Sequence, residues 1–171
     1  MRSVTKNVAL TGLCTAVALV LSYVELLLPP IFVAVPGIKL GLPNILIIFM
    51  LYRFGLRRAA AVSLVRIALV ALLFGNTMTL AYSFAGAVLS LAVMALLKRL
   101  HFLSTIGVSV AGGVSHNIGQ ILVAMLLLGT AELGYYLIVL AVTGTIAGIL
   151  IGLCGVILIR RADLKFLSEN N

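Results

Sequence analysis

The stretch that decides the fold is Ala59–Phe74, AAAVSLVRIALVALLF, in which Arg66 is the only charged residue. As a helix, this stretch is long enough to cross a bilayer. A cation in such a segment costs about 3 kcal/mol on insertion scales, so it normally faces a protein interior and has a function. The whole chain is 63% hydrophobic and 9% charged. Because a water-soluble domain of 171 residues could not bury that much apolar surface, the sequence predicts an integral membrane protein.

Apolar segments follow one another along the chain and predict an all-α bundle of six transmembrane helices, in a single domain over residues 1–171. Each segment is about as long as a hydrocarbon core of about 30 Å requires, or somewhat shorter. They lie near Val8–Leu28, Leu42–Tyr52, Ala59–Phe74, Met78–Leu97, Ser104–Leu128 and Tyr135–Ile159. The second is too short to cross unaided, so we expect it to be tilted or to be extended by part of Gly37–Gly41.

Basic residues alternate between the connections and indicate the orientation of the bundle. Both termini and every second connection carry basic residues. These residues are Arg2, Lys6, Arg53, Arg57, Arg58, Lys98, Arg99, Arg160, Arg161 and Lys165. The other connections carry Lys39 as their one cation, with Glu132 in the last of them. Because cytoplasmic loops are enriched in Lys and Arg, we expect both termini in the cytoplasm and the protein in the plasma membrane. The net charge of +8 therefore fits a lipid bilayer, and we expect no nucleic-acid partner.

The connection between the first two segments, residues 29–44, is long, contains all four prolines of the chain and is still hydrophobic. An apolar loop should not lie exposed to water, so we expect a lid or re-entrant segment that folds over the bundle. A Pro-rich helix connection that dips into the membrane interface is the alternative.

Polar side chains lie in the middle of the fifth segment. His116 and Gln120 follow Gly112 at intervals of four, which places the three residues on one helix face. Asn117 lies about 100° further round the helix and could serve a neighbouring helix. Buried polar groups need partners. Those partners could be other helices or a bound ligand, and we favour the ligand.

A pocket open to the external side could form from these groups and from Arg66, which lies near mid-depth. It would suit a molecule with an anionic or carbonyl-rich head. The predicted binding residues are Lys39, Asn44, Arg66, Tyr82, His116, Asn117 and Gln120. A structural ion pair of Glu25 with Arg66 or Lys39 is the rival explanation for the buried charge.

The sequence lacks the residues that several kinds of catalytic chemistry require. The chain has no G-x-x-x-x-G-K-[ST] phosphate-binding loop, and Asp163 is its only aspartate. It therefore cannot build the Asp-rich Mg²⁺ site of a prenyl transferase. Cys14 and Cys154 lack metal-ligand spacing, and His101 is too far from His116 in the predicted topology to share a metal. We expect no metal, no cofactor and no catalysis by this polypeptide alone.

Small residues mark two helix faces that favour close contact. In the last segment glycine recurs every four residues from Gly144 to Gly152, and we expect this stripe to pack within the bundle. In the first segment Ala9, Gly12 and Ala16 form a similar ridge, for which packing inside the bundle and contact with a partner subunit are both open.

Two stretches resemble a known group of proteins. Pro36–Asn44 (PGIKLGLPN) and Gly112–Gln120 (GGVSHNIGQ) look like motifs of the Gx transporter family, also labelled heptaprenyl diphosphate synthase component I. The resemblance covers essentially the whole chain. That family is in turn similar to the substrate-binding S components of energy-coupling factor (ECF) transporters. S components are six-helix proteins that bind a vitamin-like molecule near the external face, together with a transmembrane T component and cytoplasmic ATPases.

The resemblance implies roles for particular positions. The polar loop of the family corresponds to Lys39 and Asn44, and its fifth-helix motif to His116, Asn117 and Gln120. S components often dock the T component through an Ala-x-x-x-Ala ridge on the first helix, for which the nearest match here is the ridge that ends in Ala16.

The resemblance therefore implies the substrate-specific subunit of an ECF-type transporter for a small vitamin-like, flavin-like or isoprenoid-related molecule. The alternative is a non-catalytic membrane component of a heptaprenyl diphosphate synthase system. A stand-alone channel or secondary carrier is a third possibility, against which stand the scarcity of acidic residues and the lack of an evident inverted repeat.

Overall fold

The computed structural model describes residues 2–27, 41–74 and 77–168 of the chain. Within these ranges the protein is all α-helical and has no β-strand, as the sequence predicts. The helices are α1 (Arg2–Leu27), α2 (Asn44–Phe54), α3 (Leu56–Phe74), α4 (Thr77–Leu100), α5 (Thr105–Leu128) and α6 (Leu137–Ser168). A 3₁₀ helix, Ala131–Tyr136, leads into α6. Each predicted apolar segment thus corresponds to one helix.

Four stretches of helix are long and apolar enough to cross a membrane: Val8–Leu27, Leu80–Leu100, Thr105–Leu128 and Ala131–Ala162. Large apolar side chains also point outward, since Leu72, Leu126 and Ile138 are 76–82% exposed. Water would penalise such a surface, whereas lipid tails would not. The protein is therefore a multi-pass membrane protein.

The short helix α2 lies in the centre of the bundle. Ile47, Ile48, Met50 and Leu51 are at most 2% exposed, and the largest buried cluster forms around them. With 11 residues, α2 is about 16 Å long, which is roughly half the thickness of a hydrocarbon core. Because neighbouring helices cover much of its surface, a helix of half length can lie at membrane depth.

The expected extension of α2 into Gly37–Gly41 is wrong for Gly41. The helix begins at Asn44, and Gly41 to Pro43 form a turn in which the Asn44 N–H donates to the Gly41 carbonyl at 2.8 Å. Gly41 has φ +76°, a left-handed conformation that interrupts a right-handed helix. Residues 37–40 lie outside the described ranges, as does most of the predicted lid, from residue 29 to residue 40.

Glycine brings α5 and α6 into backbone contact. A Cβ at Gly148 would lie 2.6 Å from the Val110 Cα, and one at Gly152 would lie 2.9 Å from the Ile106 Cα. Real Cβ atoms do not approach so closely, so both positions require glycine for this packing. The prediction that the glycine stripe of the last segment packs inside the bundle is confirmed.

Contacts between helices show which helix ends lie together. Arg58, at the start of α3, lies beside Val8, near the start of α1. Lys98, near the end of α4, donates from Nζ to the Leu51 carbonyl near the end of α2 at 2.7 Å. Gly41 lies near Ile151 and Ile48 contacts Gly155, so α2 and α6 run in the same direction and end on the same side. The cationic connections therefore meet at one end of the bundle, which we call the basic end.

Candidate ligand-binding cavity

A small cavity lies between the helices in the half of the bundle away from the basic end. All six α-helices or their adjoining turns contribute to its wall, and its volume is about 50 Å³. A water molecule needs roughly 10–15 Å³ of such space, so the cavity suits a small head group. The described polar side chains in its wall are Ser22, Glu25, Asn44, Arg66, Ser83, His116, Asn117 and Gln120.

The structure brings together most of the predicted binding residues. The cavity is lined by Asn44, Arg66, His116, Asn117 and Gln120, which come from α2, α3 and α5. These residues are far apart in the sequence and come together because α2 is buried between α3 and α6, while α5 packs along α6.

Two predicted binding residues are not part of this group. Tyr82 does not line the cavity, and the next residue, Ser83, does. Successive residues of a helix point about 100° apart, and here Ser83 is the one that faces the cavity. Lys39 lies outside the described residues, and its place in the site stays a prediction.

Arg66 is held at the cavity wall by α1. Its Nη1 donates to the Ser22 Oγ at 3.2 Å, and the Ser22 hydroxyl donates in turn to the Ala18 carbonyl at 2.9 Å. Its Nε is buried, and no described residue offers it a hydrogen-bond acceptor. A guanidinium has five N–H donors, so Arg66 retains capacity to bind a ligand.

The carboxylate of Glu25 attracts the guanidinium of Arg66 electrostatically. This attraction supports the alternative in which Glu25 balances part of the positive charge of Arg66. Its carboxylate also accepts a hydrogen bond from the backbone N–H of Gly41. This bond joins the last turn of α1 to the turn before α2 at the cavity wall. Glu25 therefore has two roles, since it balances Arg66 and fixes the start of the α2 region.

Sequence reasoning missed Ser22 as a residue of this site. A signal for Ser22 was available, since it precedes Glu25 by three residues and therefore shares its helix face. Tyr82 and Ser83 are both polar and were both candidates, but the sequence does not give the rotation of α4 about its axis and so did not distinguish them.

His116 and Gln120 are positioned by the backbone of α4. A Cβ at Gly86 would lie 3.0 Å from the His116 Cε1 and 2.9 Å from the Gln120 Cγ. Gly86 thus lets α4 approach α5 at the level of the two side chains. The predicted common face of His116 and Gln120 is reproduced, with one side against α4 and the other on the cavity.

Asn117 has a structural partner. Its side-chain Nδ2 donates to the Leu140 carbonyl on α6 at 2.8 Å, and the residue is 7% exposed. The alternative that a polar group of the fifth segment serves a neighbouring helix is therefore realised for Asn117, although its side chain also lines the cavity.

The predicted docking ridge lies on the outside of the bundle. Ala9, Gly12 and Ala16 are exposed, and a Cβ at Gly12 would meet nothing within 4 Å. Gly12 and Ala16 border an open groove of about 790 Å³ between α1 and α3, whose other wall includes Val65 and Leu69. We call it the α1–α3 groove.

Within the described residues, no group of three or more His, Cys, Asp or Glu side chains is placed to hold a metal ion. Cys14 is buried in α1, whereas Cys154 is exposed on α6. What the cavity offers is hydrogen bonding, the buried guanidinium of Arg66 and the carboxylate of Glu25.

Comparison with known proteins identifies the family. No curated protein and no solved structure matches the chain. The family model described as heptaprenyl diphosphate synthase component I matches residues 14–158. The matched region begins in α1, ends in α6 and includes the cavity, so the family that the two motifs suggested is confirmed. The chain belongs to the heptaprenyl diphosphate synthase component I family.

Proposed function

We propose that this protein captures a small molecule with an anionic head group in the cavity beside Arg66, as the substrate-specific subunit of an ECF-type transporter. The observation that carries the proposal is a buried guanidinium with an unused Nε at the wall of a cavity in the membrane. A charge at this depth is costly and normally has a function or a partner. Glu25 balances only part of the positive charge of Arg66.

The start of α2 supports an anionic rather than a cationic ligand. Asn44 is the first residue of α2 and lines the cavity. The N-terminus of a helix carries a partial positive charge of about half an elementary unit. In α2 the N–H groups of Asn44, Ile45 and Leu46 already donate to carbonyls of the preceding turn, so the partial charge, and not free N–H groups, would attract an anion. Broken or short helices in transporters use such ends to hold anionic groups of the substrate at membrane depth. Lys39, from the predicted lid, would add a second cation.

Transport would follow capture. We propose that all six helices lie within the plasma membrane with both termini in the cytoplasm, so that the cavity faces the outside and the basic end faces the inside. The α1–α3 groove would dock the transmembrane T component, since its small residues allow close approach of another helix. ATP hydrolysis would occur on partner ATPases.

A second candidate function is favoured by the family name. The chain would be a non-catalytic membrane component of a heptaprenyl diphosphate synthase system, working beside a separate catalytic subunit. The same cavity would then hold the diphosphate of an isoprenoid. The two candidates share an anionic head group and differ in the partner.

Partner identification separates the two candidates. The tagged protein is purified from its own host in a mild detergent, and accompanying proteins are identified by mass spectrometry. We expect a T-type membrane subunit and ATPases. Recovery of a soluble prenyl synthase subunit instead would establish the second candidate and exclude the first.

A matched pair of variants tests the docking surface in the same experiment. Gly12→Leu fills the α1–α3 groove, whereas Val142→Ala changes an exposed position on α6. We expect Gly12→Leu to lose the partner and Val142→Ala to keep it. If both variants keep it, the groove is not the docking surface.

A further inference from the structure

A second pocket lies at the basic end, remote from the cavity that contains Arg66. Its volume is about 230 Å³, and its walls come from the end of α2, the start of α3 and the end of α4. The lining residues are Leu51, Leu56, Ala95, Lys98, Arg99 and His101. We call it the basic pocket. Two cations and a histidine thus share one pocket with three apolar side chains.

Lys98 is fixed in place within the basic pocket. Its ammonium donates to the Leu51 carbonyl at 2.7 Å and lies 4.9 Å from the centre of the Tyr52 ring. The carbonyl belongs to the last turn of α2, where a cation is favoured by the helix dipole. An ammonium has three N–H donors, so two remain for a ligand or water.

Arg99 and His101 complete the polar wall of the basic pocket. Both are exposed, and His101 has φ +58°, a value uncommon for residues other than glycine. This left-handed residue lies immediately beyond the end of α4 and turns the chain at the pocket. The strain is small enough for histidine to tolerate, and it places the imidazole beside Lys98 and Arg99.

The charge around the basic pocket favours an anion. Arg53, in the last turn of α2, and Arg57 and Arg58, in the first turn of α3, lie at the same end. Of the four acidic residues in the chain, the two whose side chains are described are Glu25 and Glu132, and both lie at the opposite end. Neither can neutralise the basic pocket.

We propose that the basic pocket binds the phosphate head group of an anionic phospholipid. The ends of transmembrane helices lie at the depth of the lipid head groups, and basic pockets between helices are known lipid sites. Leu56, at 40% exposed, gives the pocket an apolar wall that opens outward, which suits the glycerol and upper acyl region of a lipid. A soluble phosphate would gain nothing from that wall.

Native mass spectrometry of the purified protein tests this proposal, with phosphatidylglycerol and phosphatidylcholine of the same acyl chains as probes. Arg99→Gln removes a cation that lines the pocket. Arg160→Gln removes an exposed cation of α6 that does not line it. Lys98 is left intact because it also caps α2.

We expect the first lipid molecule that binds to the unchanged protein to bind more tightly when it is phosphatidylglycerol than when it is phosphatidylcholine. Arg99→Gln should weaken phosphatidylglycerol binding about fivefold, the usual effect of one basic residue near an anionic head group. Arg160→Gln should change it less than about twofold. His101→Gln serves as a second variant and should also weaken binding.

Three results would overturn the proposal. One is equal binding of the two lipids. Another is an equal loss in Arg99→Gln and Arg160→Gln, which would indicate general attraction to the basic end. The third is displacement of phosphatidylglycerol by excess inorganic phosphate, which would assign the pocket to a soluble anion.

Discussion

At the scale of single residues, Arg66 is the side chain on which the proposed function depends. Its guanidinium is oriented by the hydroxyl of Ser22 and partly balanced by Glu25. The Ser22 hydroxyl is itself committed to the Ala18 carbonyl, so Arg66 approaches the cavity from a fixed position. A flexible surface cation could not provide the same selectivity, since it would lose more side-chain entropy on binding.

Replacement of Arg66 by alanine should abolish most ligand binding. Hydrogen bonds to a charged group contribute about 1.5–3 kcal/mol, so we expect a loss of about tenfold to a hundredfold in affinity. Arg66→Lys should retain part of it, because a lysine keeps the charge and loses the planar arrangement of donors. The small molecule that copurifies is quantified by mass spectrometry, with thermal melting in detergent as the test of folding.

Charge balance must be separated from ligand contact. The double variant Glu25→Gln with Arg66→Ala removes both members of the pair and leaves no unbalanced charge. If binding returns to the level of the unchanged protein in this double variant, Arg66 serves only to neutralise Glu25, and the binding role is wrong.

Asn117 should contribute more to stability than to ligand binding. Asn117→Ala removes the bond to the Leu140 carbonyl and should lower the free energy of unfolding by about 0.5–2 kcal/mol, a usual range for bonds between transmembrane helices. Ser115→Ala is the control, because the Ser115 hydroxyl donates to the Ala111 carbonyl of its own helix. Unfolding in detergent measures both. Equal stability losses in the two variants would contradict the interhelical role.

At the scale of helices, the contact between α5 and α6 depends on missing side chains rather than on large ones. In a membrane the hydrophobic effect does not hold helices together, so close backbone packing must do so. The absent Cβ of Gly148 permits the approach of Val110, and that of Gly113 permits the approach of the Gly144 carbonyl. The Asn117 side chain then spans a short distance to α6.

Gly148→Ala should destabilise the protein by about 1–3 kcal/mol, because its Cβ would collide with backbone that cannot move independently. Gly12→Ala is the matched control on α1, where the new Cβ meets nothing within 4 Å. Alanine has a higher helix propensity than glycine, by up to about 1 kcal/mol, so the control variant should be as stable as the unchanged protein or more stable. Melting temperatures in one detergent compare the variants. Similar melting temperatures for both would show that α5 and α6 can separate without cost.

At the scale of the whole molecule, the two ends of the bundle differ in charge and in content. The basic end carries the cationic connections and the basic pocket, while the other half holds the cavity with Arg66 and Glu25. The core around α2 lies between them. A transporter subunit with this arrangement would present its ligand cavity to one side of the membrane and its cations to the other.

The orientation can be measured with single cysteines. In a background with Cys14→Ala and Cys154→Ala, cysteine is introduced in place of His101 at the basic end or Glu132 at the other end; both positions are exposed. A maleimide that does not cross membranes should label intact cells at position 132 and leave position 101 unlabelled until the cells are opened. The reverse pattern would place the basic end outside and contradict the predicted topology.

The sequence by itself determined the class of the protein, the position of each helix, the alternation of charge and the family. These properties follow from local composition, since an apolar run forms a helix in a membrane wherever it occurs along the chain. Five of the seven predicted binding residues also gather at one cavity, because Arg66 and the fifth-segment polar groups are too costly to face lipid.

Only the tertiary structure decided which side chains share that cavity. It placed Ser83 there rather than Tyr82, added Ser22 and Glu25, and gave Asn117 a partner on α6. It also buried α2, whose length suggested a tilted or extended span. The rotation of a helix about its axis depends on how its surface fits its neighbours. That fit arises from residues far apart in the chain, such as Gly148 and Val110, so no local pattern of sequence determines it.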